Sequence, residues 1–220
     1  FAGYSFCKAH SASYAVESYQ SLYLKVHYPL EFMVAVINNM GGFYRTEVYV
    51  HEARMSGATI LNPCVNNSEY QTTLYGTHVY LGFMHLQGLE SRLGEYIPNE
   101  RRQHGVFNSL EDFINRVPIG IEGVQTLIYI GAFRFTGMTK NELLVQARLL
   151  MVNFKPENRN LTLLQEPVKA FKLPELSRSK FEDAFDEIEL LGFPVSCSPF
   201  QLLKTNPRSN YFLLHILLSF

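Results

Sequence analysis

Apolar residues recur at helical spacing through most of the chain. Ala15, Tyr19, Leu22 and Val26 fall at i, i+4, i+7 and i+11, one stripe of an amphipathic helix suited to packing on another. Pro29 closes that helix, because proline disfavours helical geometry in the residue before it. Leu30, Met33, Val34 and Ile37 restart the period until Gly41-Gly42 stops it. Tyr44, Val48, Glu52 and Met55 line one side of a third helix that Gly57 terminates. Residues 58 to 84 change character: Pro63, Asn66, Asn67 and Ser68 are loop formers. TTLYGTHVYLGF then holds two β-prone runs around Tyr75-Gly76, a small β-hairpin near residues 71–84, where strand content is expected to end.

The remainder returns to short helices with their starts written out. Ser109-x-x-Asp112, Thr139-x-x-Glu142 and Ser179-x-x-Glu182 each set a hydroxyl three residues ahead of a carboxylate, the pattern of a capping box. Stripes follow: Leu110, Phe113, Ile114, Val117; then Leu143, Leu144, Ala147, Met151; then Phe181, Phe185, Ile188, Leu191. Between the last two, KPENRNLTLLQEPVKAFKLPEL has little periodicity and reads as an extended tether. The fold class is therefore mainly α, divided into helices over 1–70, hairpin and helical module over 71–155, tether over 156–180 and a last helical segment over 181–220.

Composition narrows the function classes. The chain has 220 residues, 47% hydrophobic and 18% charged, with 20 acids against 19 bases, which excludes wholesale disorder and an indiscriminate polyanion binder. Charge is uneven, however. From Arg134 to Lys180 there are nine Lys/Arg against four Glu, whereas the next helix carries Glu182, Asp183, Asp186, Glu187 and Glu189. Such runs read first as solvated faces; an acidic helix beside a basic tether also offers a pairing, or a means of holding the tether off nucleic acid. Cys7, Cys64 and Cys197 are too far apart for a C-x-x-C pair, and their odd number speaks against a disulfide framework, so reduced cytoplasmic thiols are expected. No apolar run reaches the ~18 residues of a membrane span. The densely apolar ends, FAGYSF and HILLSF, are those expected of a piece of a longer protein.

No P-loop, HExxH, G-x-S-x-G or dinucleotide fingerprint is present. His27, His51, His78, His85 and His104 lack metal-ligand spacing, and Glu111-Asp112 and Asp186-Glu187 read as helix surface rather than a catalytic pair.

One set of blocks is more specific. Phe6, Lys8, His10, Tyr14, Tyr19, Gln20, Leu24, Lys25, His27, Tyr28, Pro29, Glu31 and Phe32 are followed by ARMSGATILNPCVNNS, VYLGFMHLQGLES, SLEDFINRV, LIYIGAF and ELLGFPVSCSP. In this order they resemble the fingers and following region of the bacterial replicative DNA polymerase III alpha subunits, the C-family polymerases, over nearly the whole chain. The resemblance implies distal fingers helices, then a helix-hairpin-helix module. The parent would be a DNA-directed DNA polymerase, a nucleotidyltransferase of DNA replication, whose Mg²⁺-binding carboxylates lie in a palm upstream. This fragment would then carry no catalytic residue, need no cofactor of its own and be inactive alone.

Three sites follow from the resemblance. Lys8, His10 and Tyr14 would contact the dNTP, with Cys7 standing where the family usually has Asn. Positive charge at a helix N-terminus suits a triphosphate. Gly88 and Leu89 would form the hairpin that meets primer-template phosphates through backbone N–H groups. Glu90 replaces its second Gly, and Gln87 a common Lys, both of which weaken the grip. The second hairpin, around PIGIEGVQTLIYIGAF, suits structural pairing more than contact. Asn160, Leu161, Thr162, Leu163 and Leu164 loosely match the family's beta sliding clamp-binding peptide, an amide anchor plus apolar side chains entering a groove. Other replicative holoenzyme subunits would be partners, the membrane would not, and the protein would be cytoplasmic. Two other classes stand beside this: a non-catalytic helical module binding protein only, and a hydrolase using His and Cys, which no spacing favours.

Overall fold

The computed structural model describes residues 8–40, 42–153, 180–198 and 201–202. The chain divides into two compact units, one of residues 1–61 and 72–80, the other of residues 62–71 and 81–220. The architecture is mainly helical with one small sheet.

In the first unit, α1 (Lys8–His27) and α2 (Pro29–Asn38) are separated at Tyr28, and Pro29 opens α2 at a position where no helical N–H is required. Helix α3 (Thr46–Met55) follows, with Gly57 at a φ of 96° just beyond it. Strands β1 (Thr59–Leu61), β2 (Thr73–Tyr75) and β3 (His78–Tyr80) form a sheet of order β1-β3-β2. β2 and β3 make the expected hairpin, Leu74 opposite Val79, and Gly76 takes the φ of 61° that a two-residue turn asks of its first residue. β1 was not expected. It pairs parallel to β3, with Ile60 opposite Val79, and three residues leave too little sequence for an alternation to show. Asn38 stands in for a further strand: its amide donates to the Thr72 carbonyl at 2.8 Å, and its oxygen accepts from the Thr72 N–H at 2.7 Å.

The core of this unit is Met33, Ile37, Val50, Ala53, Ile60 and Val79. Two expectations are corrected here. The α3 face that turns inward is Val50 and Ala53, while Val48 and Met55 are exposed and Tyr44 precedes the helix. The stripe of α1 is amphipathic in sequence only: no residue of α1 is buried, and Tyr19, Leu22 and Val26 stay 71%, 62% and 72% exposed.

The second unit is built from α4 (Ser91–His104), α5 (Leu110–Arg116), α6 (Ile121–Tyr129), α7 (Lys140–Asn153) and α8 (Lys180–Leu191), with short 3₁₀ turns at Phe83–His85 and Arg134–Thr136. Its centre is a chain of edge-to-face rings, Phe107 on Phe113 and Phe113 on Phe133, both at 5.0 Å between centroids. The stripe of α5 is buried in full, and Ser109 caps it by accepting from the Asp112 N–H. At α7 the box is reciprocal: the Thr139 N–H donates to Glu142 at 2.7 Å, and the Glu142 N–H donates back to the Thr139 hydroxyl. The Thr139 N–H, and with it the Thr139 hydroxyl donating to the same carboxylate oxygen at 2.8 Å, hold the Glu142 carboxyl below the usual glutamate range.

Arg116 joins α4 to α5. Its guanidinium donates to the Glu100 and Asp112 carboxylates and to the Gly105 carbonyl, and lies 4.3 Å over the Phe107 ring. Arg101 does the same for the 62–71 segment, donating to the Val65 and Ser68 carbonyls and to Glu69.

Helix α8 departs in part from its expected face. Leu191 is buried as expected, but Phe185 is exposed, and Ala184 and Glu187 point inward in its place. Glu187 is therefore not helix surface. The acidic residues Asp183 and Asp186 pair with Lys140 of α7, at 2.6 and 2.7 Å.

Candidate nucleic-acid interface

The residues expected to meet a nucleotide all lie on α1, and all are exposed. His10 and Tyr14, one turn apart, touch edge to face at 4.6 Å. Lys8 does not join them. Two residues of helix rotate a side chain by about 200°, so Lys8 sits on the opposite flank with Tyr19 and Val26. Phe6 and Cys7 lie outside the described residues, as do Asn160, Leu161, Thr162, Leu163 and Leu164 of the expected clamp peptide.

Gly88 and Leu89 sit in a hairpin between the 3₁₀ turn Phe83–His85 and α4. Phe83 and Leu86 are buried and moor its first arm. Gly94 moors the second, since a Cβ there would meet Tyr70 at 3.0 Å and Phe83 at 3.2 Å. Gly88 turns the chain at a φ of 81°, a conformation that L side chains rarely adopt. Glu90 is the N-cap of α4; its carbonyl accepts from the Leu93 and Gly94 N–H groups, but its side chain caps nothing.

Among the described residues no acceptor lies within reach of the N–H groups of Gly88, Glu90, Ser91 and Arg92. Unpaired N–H groups at a tight turn and at a helix start form a concavity of partial positive charge, which suits an oxyanion such as a phosphate. The exposed Glu90 carboxylate opposes that field. Arg92, exposed in the first turn of α4, restores it. Arg92 was not singled out in the sequence, because a cation at a helix N-terminus, where the dipole disfavours it, stands out only once α4 is placed to begin at Ser91. His85, just before the hairpin, has its pKa lowered by burial and stays neutral near pH 7.

The second hairpin joins α5 to α6 through Val117, Pro118, Ile119 and Gly120. Val117 and Ile119 are buried, and a Cβ on Gly123 would come within 2.7 Å of Ile119. Beside the first hairpin, between α6 and α8, lies a cleft of ≈ 470 Å³ lined by Glu122, Thr126, Tyr129, Asp186 and Glu189. Its carboxylates disfavour a triphosphate there. Among the described residues no group of three or more His, Cys, Asp or Glu could hold a metal ion. No described helix is long and apolar enough to cross a membrane.

Comparison with known proteins agrees with this geometry. Residues 57–143 match the family model of the helix-hairpin-helix motif, which spans both hairpins. The chain is similar to the DNA polymerase III subunit alpha of Aquifex aeolicus, 30% identical over 215 residues, which is 96% of this chain and 18% of that protein. The subunit of Thermus aquaticus is 30% identical over 208 residues, 89% of this chain and 17% of that protein. That of Staphylococcus aureus strain N315 is 30% identical over 210 residues, 90% of this chain and 19% of its own length. The chain thus spans less than a fifth of the length of these relatives.

Proposed function

We propose that this chain, homologous to a segment of the DNA polymerase III alpha subunit, grips the sugar-phosphate backbone of primer-template duplex through its first helix-hairpin-helix turn. The observation that carries this is the set of N–H groups at Gly88, Glu90, Ser91 and Arg92 that meet no acceptor among the described residues, with the exposed Arg92 in the same first turn of α4. Contacts of that kind position a duplex without reading its sequence. The parent protein would add nucleotides to a primer, in DNA replication, with its metal-binding carboxylates in sequence outside this chain. The chain alone would then be inactive.

Three finer assignments belong to the same proposal. His10 and Tyr14 offer an exposed imidazole–phenol pair to a dNTP, and Lys8 would reach the triphosphate only from the other side of α1. Residues 160–164 would engage the sliding clamp, and further holoenzyme subunits would be met by the rest of the parent. Such a protein works in the cytoplasm.

Titrating the chain into a fluorescent primed duplex tests this. Binding at low salt that weakens steeply as salt rises supports it, since each neutralised phosphate releases counterions. The exposed Glu90 carboxylate favours a second reading, a helical module that binds protein only. Duplex binding absent even at low salt would select that one.

A further inference from the structure

We propose that α8 and the turn after it complete the first hairpin, with Glu187 as the residue that positions it. This rests on the reading of that hairpin as a duplex contact. The helix-hairpin-helix family model ends at residue 143, well before α8 begins at Lys180.

The link is one hydrogen bond between two groups that each lack a partner of their own. Leu190 lies in the last turn of α8, where carbonyls have no helical N–H to accept. Its oxygen takes the Gln87 N–H of the hairpin at 2.9 Å. Gln87 immediately precedes Gly88, so this bond fixes where the turn begins and which way the free N–H groups face. The other near neighbour is Thr126 of α6, whose hydroxyl would lie 3.8 Å from a Cβ on Gly88.

Helix α8 carries out this role only if it is itself held. Glu187, three residues before Leu190, is 2% exposed. One of its oxygens accepts from the Val195 N–H at 2.6 Å, the Ser196 N–H at 2.7 Å and the Ser196 hydroxyl at 3.0 Å. The other accepts from the Asn62 amide at 2.6 Å. A buried carboxylate is costly unless donors saturate it, so four donors at one side chain fix both the helix and the turn that leaves it. Gly192 ends the helix at a φ of 87°, allowing that turn to fold back under Glu187. Lys140 secures the other end through Asp183 and Asp186.

The test uses the whole chain carrying Glu187→Gln, which sets an amide donor against donors while keeping the shape. Amide hydrogen exchange should show the Gln87 N–H losing about tenfold or more in protection relative to the α5 amides, the mark of local rather than global opening. Duplex affinity should fall, with the slope of log K against log salt reduced by about one, the loss of one phosphate contact. Gln87 protection that is unchanged, or that falls only in step with α5, overturns the proposal, as does an unchanged salt slope in a chain that binds duplex. Should Glu187→Gln fail to fold, Ser196→Ala removes a single donor, and the same ratio of Gln87 to α5 protection decides. A wild-type chain that binds no duplex refutes the DNA reading alone, because the exchange comparison still reports whether α8 positions the hairpin.

Discussion

The two hairpins of the second unit share a motif but have opposite destinations for their side chains. The second sends Val117 and Ile119 into the core and leaves Gly123 bare so that Ile119 can lie against α6. The first buries Leu86 and then exposes Gln87, Gly88 and Glu90, and the N–H groups of Gly88 and Glu90 meet no acceptor among the described residues. One hairpin packs helices together, and the other leaves its backbone open to the proposed duplex contact. A motif match alone does not separate these uses; burial does.

The largest effect should come from the packed side. Phe113 is fully buried between Phe107 and Phe133. Phe113→Ala should cost about 3–5 kcal/mol in chemical denaturation, by loss of transfer energy and the cavity left behind. A cost near that of a surface change would break the contrast. Next comes the exposed side: Gly88→Val forces a branched side chain to the positive φ and should cost about 1–2 kcal/mol. Its duplex affinity should suffer more than its melting temperature, whereas Phe113→Ala should show the reverse order.

The cap of α7 gives a smaller effect with a pH signature. Thr139→Ala should destabilise by about 1 kcal/mol at neutral pH. Glu142 has its pKa depressed by the Thr139 bonds, so their contribution is complete above the ordinary glutamate value of about 4.3 and disappears as pH falls below it. The variant loses only the hydroxyl bond to the carboxylate, its backbone N–H still reaching Glu142. The gap to the wild type should therefore narrow in acid without closing, as urea titrations across that range will show. His85 shifts the opposite way in charge and the same way in consequence. Burial lowers its pKa, so the unfolded chain protonates first, and stability should decline as pH falls through about 6.5. His85→Gln should flatten that step. Smallest of all, Glu90→Gly removes the opposing carboxylate and restores a flexible turn, and should tighten duplex binding about threefold at low salt.

Much of the helical frame was legible because period and punctuation agreed. Leu110, Phe113, Ile114 and Val117 announced α5, and Ser109 and Thr139 announced the caps. Pro29 marked a helix boundary to the residue. What escaped were features decided by tertiary contacts. Three residues of β1 carry no pattern of their own, and their parallel pairing depends on β3, seventeen or more positions away. Glu187 looked like any acid on an acidic helix, because nothing local says that Asn62, Val195 and Ser196 will surround it. The stripe of α1 shows the converse failure: Tyr19, Leu22 and Val26 are spaced as a core and lie on the surface. Within the site, Gly88 was readable as a turn, while Arg92 became apparent only once α4 was seen to begin at Ser91.

The most direct test of the proposed phosphate contact at the first hairpin is the salt dependence of duplex binding for the wild type beside Arg92→Gln. The account gives tight binding at low salt, a steep slope, and a slope lower by about one in the variant, with other sequences of duplex bound equally well. Identical slopes for the two proteins, or no binding by either, would contradict it.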